Sequence, residues 1–368
     1  MPFYIGSRFN QFIANHIFMK SRIFIPAAVA LLLASCAKNE NTDYTVTVNV
    51  PSAENGSMAY LVDYDSSDKI DSTIVENGTA LFKGKIAKAV MAQVVCDGSR
   101  AGTIVLEPGQ IVLDSETRTM SGSPLNESLA GFNKAEKALM EEYRQLPDDS
   151  TGMARAKELS DRHTAMSDSL IAANNDNALG YYTFLQSAYE CNLTQLDSIL
   201  ALYPTFSEGK RIAKLRTSLV KKQETQPGNM FKDFEVTYDG KTSRLSDYVG
   251  KGKYTLVDFW ASWCGPCIRE TAVIKELYNK YSDKGLEVLG VAVWDQPENT
   301  LKAIEQHQLP WNQILDAQTI PTDIYGISSI PCIILFDPQG KIVSRDKQDA
   351  ELTADVDAAM ATVGLSMD

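Results

Sequence analysis

The feature that most constrains the fold is the segment Trp260–Cys267, which holds two cysteines separated by two residues. An apolar run, Tyr254–Trp260, leads into it, and a helical pattern follows it. This order of strand, cysteine pair and helix places Cys264 at a helix N-terminus, where unbonded N–H groups and the helix dipole stabilise a thiolate. Pro266 suits the first helical turn, because its missing N–H has no partner there. The segment therefore predicts thiol–disulfide exchange, with Cys264 as nucleophile and Cys267 as the resolving thiol.

A pair of this spacing is also half of many zinc sites. A structural zinc site needs two further Cys or His ligands at suitable spacing. Only His307 and Cys332 are available in this part of the chain, and neither completes such a pattern. The pair therefore indicates redox chemistry, with no metal and no cofactor.

The N-terminus is typical of an export signal. Lys20 and Arg22 precede the apolar stretch Ile23–Leu33, which is too short to span a bilayer. Residues 33–36 resemble the lipobox of bacterial lipoproteins, in which the cysteine is acylated, here Cys36. An ordinary cleaved signal with an incidental cysteine is the alternative. The prediction is a lipoprotein held on a membrane by acyl chains on Cys36.

The net charge and the other cysteines exclude two further classes of protein. The formal net charge is -12, with no basic stripe, so the chain repels phosphate backbones and nucleic-acid binding is excluded. Cys96 and Cys191 either pair with each other or are buried free thiols. The few scattered cysteines argue against a scaffold held together by disulfides.

Hydrophobic patterns divide the chain into four segments. Short strands with alternating apolar residues and turn signals between them favour an antiparallel sandwich before residue 123, and helical spacing follows it. Beyond residue 228, strands and helices alternate, as in an α/β domain. The predicted segments are a signal peptide with lipobox at 1–36, a β-rich domain at 37–122, a helical region at 123–224 and an α/β domain at 228–368. The strands predicted in the β-rich domain are 44–50, 58–62, 79–83, 90–96, 103–106 and 110–113.

Two family resemblances refine this organisation. The run Val257–Cys267 closely resembles the thioredoxin active site. Residues 228–366 resemble the bacterial envelope branch of thioredoxin-like proteins, which includes thiol–disulfide reductases of cytochrome c maturation, and Glu270 is one of the shared features. Residues 44–135 resemble, more weakly, a β-rich domain of unknown function found ahead of such domains. The implied fold is an α+β multidomain chain: an antiparallel β-sandwich-like domain, a helical spacer and a C-terminal thioredoxin-like α/β domain.

The resemblance also implies roles for individual residues. Asp258 corresponds to the buried acid that helps deprotonate the resolving thiol through water; a solvent-exposed strand-end aspartate is the alternative. Pro331 corresponds to the cis-proline that faces the disulfide, and the backbone of Ile330 before it is free to pair with an extended substrate. Trp263 corresponds to the aromatic lid beside the nucleophile. Gly265 is the first of the two residues that set the spacing of the cysteines.

Cys332 departs from the family pattern, because Thr commonly follows the cis-proline. The resemblance places this residue close to the cysteine pair. It is then either a small packing residue or a third thiol that captures Cys264 or a mixed disulfide.

The sequence thus predicts a lipid-anchored, periplasm-facing thiol–disulfide oxidoreductase of the bacterial cell envelope. The Gly-Pro spacer resembles reducing thioredoxins, so we expect reduction of protein disulfides with electrons from an unidentified membrane donor; an oxidase is the alternative direction. A peroxiredoxin is a second possibility, although Ala261 and Val257 stand where that family has Thr and Pro before its reactive cysteine. A third is a surface lipoprotein that binds a partner or glycan and carries an auxiliary thioredoxin domain.

Overall fold

The computed structural model describes residues 42–365, which divide between Lys214 and Leu215 into two compact units. The predicted leader and Cys36 lie outside the described residues. Between residues 42 and 365, no helix is both long enough and apolar enough to cross a membrane.

The first unit opens with eight β-strands in a single sheet. The strands are β1 (Asp43–Asn49), β2 (Met58–Asp63), β3 (Lys69–Glu76), β4 (Thr79–Lys85), β5 (Val90–Cys96), β6 (Ser99–Leu106), β7 (Gly109–Asp114) and β8 (Thr119–Ser121). Their order across the sheet is β6-β5-β2-β3-β4-β1-β7-β8. All six predicted strands are present, and β3 and β8 are additional.

Along most of the strands, buried residues alternate with more exposed ones, and the buried residues form one core that the sheet surrounds. In β1, Tyr44, Val46 and Val48 are buried, and the residues between them face outward. Strand β6, at one end of the sheet, packs against β7, the second strand from the other end, and a Cβ atom on Gly102 would lie 2.9 Å from the methyl groups of Leu113. The sandwich-like character predicted from the sequence is therefore confirmed.

One pairing in the sheet differs from the predicted antiparallel arrangement. Strands β1 and β7 run parallel, with Val46 opposite Ile111, while the other neighbours are antiparallel. Parallel neighbours need a long connection, and the five strands between β1 and β7 supply it.

Five helices follow the sheet. They are α1 (Pro124–Arg144), α2 (Ser150–Ala173), α3 (Ala178–Ala188), α4 (Leu193–Leu202) and α5 (Lys210–Glu224). Short polar side chains begin three of them: Asp149 and Asn177 each accept two backbone N–H groups, and Asn192 forms a capping box with Gln195.

The second unit is an α/β domain around a five-stranded sheet. A separate two-stranded hairpin consists of β9 (Glu235–Tyr238) and β10 (Lys241–Arg244). The five strands of the sheet are β11 (Tyr254–Trp260), β12 (Leu286–Ala292), β13 (Asn312–Ile314), β14 (Cys332–Phe336) and β15 (Ile342–Arg345). The sheet order is β13-β12-β11-β14-β15. Helix α5 continues into this unit, whose further helices are α6 (Gly265–Tyr281), α7 (Pro297–Gln306), α8 (Ile320–Tyr325) and α9 (Asp349–Leu365).

The central strand β11 sorts its side chains onto two cores. Leu256 and Trp260 join a cluster that includes residues of α6 and α9. Val257 and Phe259 join the cluster on the opposite face, which includes Tyr325 of α8. The strand is parallel to β12 and antiparallel to β14, so it is buried on both faces and both edges. Its carboxyl end leads directly to the cysteine pair.

Candidate active site

The cysteine pair forms a disulfide at the beginning of α6. The sulfurs of Cys264 and Cys267 are 2.00 Å apart, and their Cα atoms are 5.3 Å apart. Cys264 is the N-cap residue of the helix, and its Sγ accepts a hydrogen bond from the backbone N–H of Cys267 at 3.2 Å. A thiolate formed at Cys264 would therefore face a helix N-terminus and at least one N–H donor.

The two sulfur-bearing residues differ in access to solvent. Cys264 keeps 4% of its surface exposed, and Cys267 is fully buried. Gly265 and Pro266 between them are exposed and form the first turn of α6. Of the two cysteines, Cys264 is therefore the one with a solvent-accessible edge.

Trp263 stands at the entrance to the pair. Its side chain is 63% exposed, yet its Nε1 donates a hydrogen bond of 2.9 Å to the backbone carbonyl of Trp294. The carbonyl lies in the loop after β12, which neighbours β11 in the sheet. This bond fixes the edge of an otherwise exposed ring beside Cys264.

Asp258 is buried on the α6 side of the sheet. It pairs in register with Ile333, which belongs to the same cluster as Cys264 and Cys267. Asp258 is 2% exposed, and its Oδ1 has no hydrogen-bond partner within the part of the chain that is described. Burial, and then the charge of nearby Glu270, raises the pKa of Asp258 to about 8. The alternative of a solvent-exposed aspartate is wrong.

Glu270 is a second buried acid, which sequence reasoning noted without assigning it a role. It lies one helical turn after Cys267 on α6 and is 3% exposed. Its Oε1 accepts the backbone N–H of Asp349 at 2.9 Å, which joins α6 to the start of α9. Burial also raises the pKa of Glu270. The signal available in the sequence was an acid within the apolar face of a helix.

The peptide bond between Ile330 and Pro331 is cis. Ile330 is partly buried and packs against the clusters on both faces of the sheet. The cis-proline thus directly precedes β14, the strand that pairs with β11. The isomer is the one implied by the resemblance to thioredoxins.

The expectation that Cys332 puts a third sulfur beside the pair is wrong. Its side chain lies in the cluster on the other face of the sheet, away from the cluster that contains Cys264 and Cys267. Its Sγ donates a hydrogen bond of 3.1 Å to Oδ1 of Asp346, and burial raises its pKa well above the ordinary value. Successive strand residues point to opposite faces, so Ile333 and not Cys332 faces the disulfide side.

The other cysteines and possible metal ligands complete the inventory of the described residues. Cys96 and Cys191 are buried free thiols, so the alternative of a disulfide between them is wrong. Within residues 42–365, no group of three or more His, Cys, Asp or Glu side chains is arranged to hold a metal ion.

A disulfide at a strand-to-helix junction, a cis-proline directly before the neighbouring strand β14 and a central sheet between two cores define a thioredoxin-like redox domain. Residues 227–345 match the AhpC/TSA family, and residues 44–129 match the Domain of unknown function (DUF4369). Thiol-disulfide oxidoreductase ResA of Geobacillus thermodenitrificans is 35% identical over 116 residues, which are 31% of this chain and 66% of that protein. The ResA of Bacillus cereus strain ZK / E33L is 33% identical over 126 residues, 34% of this chain and 71% of that protein.

Two solved structures are also similar. A thiol:disulfide interchange protein from Bacteroides sp. is 34% identical, with 38% of this chain and 92% of that chain covered and a TM-score of 0.34. The thioredoxin domain of a thiol-disulfide oxidoreductase from Bacteroides vulgatus is 33% identical, with coverages of 36% and 96% and a TM-score of 0.32. From the curated relatives, the chain belongs to the thioredoxin-like thiol–disulfide oxidoreductases.

Proposed function

We propose that this oxidoreductase reduces disulfides of exported proteins through Cys264 and Cys267. The observation that carries the proposal is the asymmetric pair at the N-terminus of α6: Cys264 keeps 4% of its surface exposed, and Cys267 is fully buried on the same sheet face as Asp258. The structure describes the oxidised enzyme, which is the product of a reductive turnover.

The reaction starts from the dithiol form. The Cys264 thiolate attacks one sulfur of the substrate disulfide. The substrate S–S bond breaks, and a mixed disulfide forms between Cys264 and the substrate. The first substrate thiolate leaves and takes up a proton. Cys267 then loses its proton and attacks Sγ of Cys264. The Cys264–Cys267 bond forms, and the second substrate thiol is released. Two electrons pass to the substrate, and a membrane-bound dithiol donor restores the enzyme in a second exchange of the same kind.

We assign to Asp258 the role of accepting the proton of Cys267 through water. A pKa near 8 lies close to that of an ordinary thiol, so the carboxyl gains and loses a proton at working pH. Its Oδ1 has no hydrogen-bond partner in the described chain and is available to a water molecule.

The direction of electron flow has a direct test. With dithiothreitol, the wild-type protein is expected to accelerate reduction of insulin disulfides, and Cys264→Ser to abolish this acceleration. The potential of the pair is expected near -270 mV, as in thioredoxin, and a value near -120 mV would instead indicate an oxidant. A wild-type protein that leaves insulin oxidised would contradict the proposal.

The proposed localisation in the cell depends on the N-terminal signal sequence. We place the protein on the periplasmic side of the bacterial envelope, anchored through Cys36, where the electron donor is a membrane protein. Metabolic labelling with a palmitate analogue tests the anchor: the wild type is expected to carry label, and Cys36→Ala to lose it and leave the membrane fraction.

The domain limits are part of the same proposal. We take residues 37–122 as the β-rich domain, 123–224 as the helical spacer and 228–368 as the redox domain. Limited proteolysis of the full chain, followed by mass spectrometry, is expected to cut first between residues 224 and 228. Early cleavage inside the redox domain would argue against these limits.

The match to the AhpC/TSA family favours a second candidate, a peroxide reductase. The site argues against it, because Cys264 is bonded to a resolving thiol three residues away, with Ala261 and Val257 at the positions that a peroxiredoxin fills with Thr and Pro. Consumption of hydrogen peroxide by the reduced protein, lost in Cys264→Ser, would favour this candidate over disulfide reduction.

A further inference from the structure

We propose that Asp295 is a positioning residue for thiol–disulfide exchange, because it holds the segment 261–263 that aims Cys264 at its substrate. The inference rests on the proposed function and adds a residue that contacts neither sulfur. Asp295 follows β12 and lies two residues before α7. Its link to the active site comes from a set of hydrogen bonds to the loop before the nucleophile.

The carboxylate of Asp295 is saturated by donors from two directions. Toward the active site, Oδ2 accepts the backbone N–H of Ser262 at 2.7 Å, and Oδ1 accepts its hydroxyl at 3.0 Å. On its own side, Oδ1 accepts the N–H of Gln296 at 2.8 Å, and Oδ2 accepts the hydroxyl of Thr300 at 2.9 Å. Asp295 is 6% exposed, so water does not compete well for these bonds.

The backbone around Asp295 is tied to the active-site side as well. The carbonyl of Trp294 accepts a hydrogen bond from the indole N–H of Trp263. The carbonyl of Asp295 accepts a hydrogen bond of 2.7 Å from Nε2 of Gln318. Trp294 has a φ of 54°, a left-handed conformation that is rare for a bulky residue. Such conformations persist only where surrounding contacts enforce them, and they concentrate at functional sites.

Capping of α7 does not account for this arrangement. The N-cap residue of α7 is Gln296, which makes no side-chain cap bond. Only the contact with Thr300 reaches into the helix, while both oxygens of Asp295 bind Ser262. A carboxylate is suited to this task because it accepts at both oxygens; the amide of Asn accepts at only one.

The consequence concerns rate and leaves the equilibrium of the pair unchanged. Ser262 and Trp263 directly precede Cys264. Loss of the hydrogen bonds to Asp295 therefore increases the mobility of the Cys264 sulfur and of the exposed indole. Small departures from the geometry of attack lower the rate of exchange. The reduction potential depends on what stabilises the thiolate of Cys264, namely the helix N-terminus and the N–H of Cys267, which Asp295 does not touch.

The test compares three variants of the full chain: Asp295→Asn, Ser262→Ala and Thr300→Val. Thr300→Val is the matched control, because it removes a donor from the same carboxylate on the side away from the active site. For insulin reduction, kcat/KM is expected to fall about tenfold in Asp295→Asn and about threefold in Ser262→Ala, with little change in Thr300→Val. The equilibrium constant with glutathione is expected to match the wild type in all three.

The outcomes separate the two proposals. Equal losses of rate in Ser262→Ala and Thr300→Val, or an unchanged rate in Asp295→Asn, would overturn the role of Asp295 and leave disulfide reduction standing. An inactive wild type would instead overturn disulfide reduction itself. If Asp295→Asn does not fold, the comparison of Ser262→Ala with Thr300→Val decides the question, because each removes a single hydroxyl.

Discussion

The carboxyl of Glu270 on α6 adds to burial in raising the pKa of Asp258 on β11 to about 8. The two acids come from the strand that leads into the cysteine pair and from the helix that follows it. Because their negative charges repel each other in a buried setting, the two carboxylates do not readily carry charge together. One proton is therefore retained near Cys267 at neutral pH, where the resolving thiol must release its own.

The first prediction concerns stability against pH. The folded-state pKa of Asp258, about 8, lies above the ordinary aspartate value of 3.8, so the folded protein keeps a proton that the unfolded chain releases. The free energy of unfolding therefore falls as pH rises from about 4 to about 8, and the loss is complete above that range. Asp258→Asn is expected to raise the free energy of unfolding at pH 8 by about 2–5 kcal/mol, with little gain near pH 4.

Urea unfolding of the oxidised protein at several pH values measures this effect. Asp283→Asn serves as the control, because Asp283 is exposed on the same domain and its removal leaves the buried pair intact. An Asp258→Asn protein whose stability falls between pH 5 and pH 8 as steeply as that of the wild type would contradict the prediction.

The second prediction concerns the role of Glu270. Its charge is one cause of the raised pKa of Asp258, so Glu270→Gln is expected to lower that pKa and move the fall in stability to lower pH. The variant retains a side-chain oxygen that can accept the N–H of Asp349. The same urea series measures the shift. A pH dependence identical to that of the wild type would show that burial alone governs Asp258.

The third prediction separates proton transfer from nucleophilic attack. Asp258→Asn leaves Cys264 in place but removes the group that accepts the proton of Cys267, so we expect the mixed disulfide to form at the wild-type rate and to resolve more slowly, by about 10- to 100-fold. Rapid mixing with a model disulfide and acid quenching at successive times resolves the two steps. A slowed first step with an unchanged second step would refute this assignment.

The structure also shows which parts of the fold were readable in the sequence. The sequence predicts strand β11 with the limits that the structure has, because a mainly apolar run, interrupted only by Thr255 and Asp258, marks a strand buried on both faces. Strand β3 was missed, since Val75 is its only buried residue and Ile70 and Ile74 point outward, so no alternating pattern exists. The parallel pairing of β1 and β7 depends on contacts between distant segments, which local patterns do not report.

The candidate site divides in the same way. Cys264, Cys267 and Asp258 stand in one continuous motif and were identified from it. Asp295 lies more than 30 residues from Ser262 along the chain and is brought to it by the parallel register of β11 and β12. The position of Cys332 has a simpler explanation: adjacency to Pro331 in the sequence does not bring its side chain to the disulfide, because successive residues of a strand point to opposite faces.

The fourth prediction follows from the position of Cys332. Its thiol is buried on the face of the sheet opposite the cysteine pair and donates a hydrogen bond to Asp346. Burial raises its pKa well above the ordinary value. We therefore expect iodoacetamide to alkylate Cys264 in the reduced native protein and to leave Cys332 unmodified until the chain unfolds. Peptide mass spectrometry after timed alkylation measures both sites.

Trapping of mixed disulfides examines the same point during exchange. The Cys267→Ala protein is expected to accumulate covalent complexes with substrate through Cys264, and the double variant Cys267→Ala, Cys332→Ser to accumulate the same amount. If complexes in the single variant were instead resolved over time, and this resolution disappeared in the double variant, a third thiol would be acting despite its burial. Because the Sγ of Cys332 is held by Asp346 in the other core, we expect equal trapping.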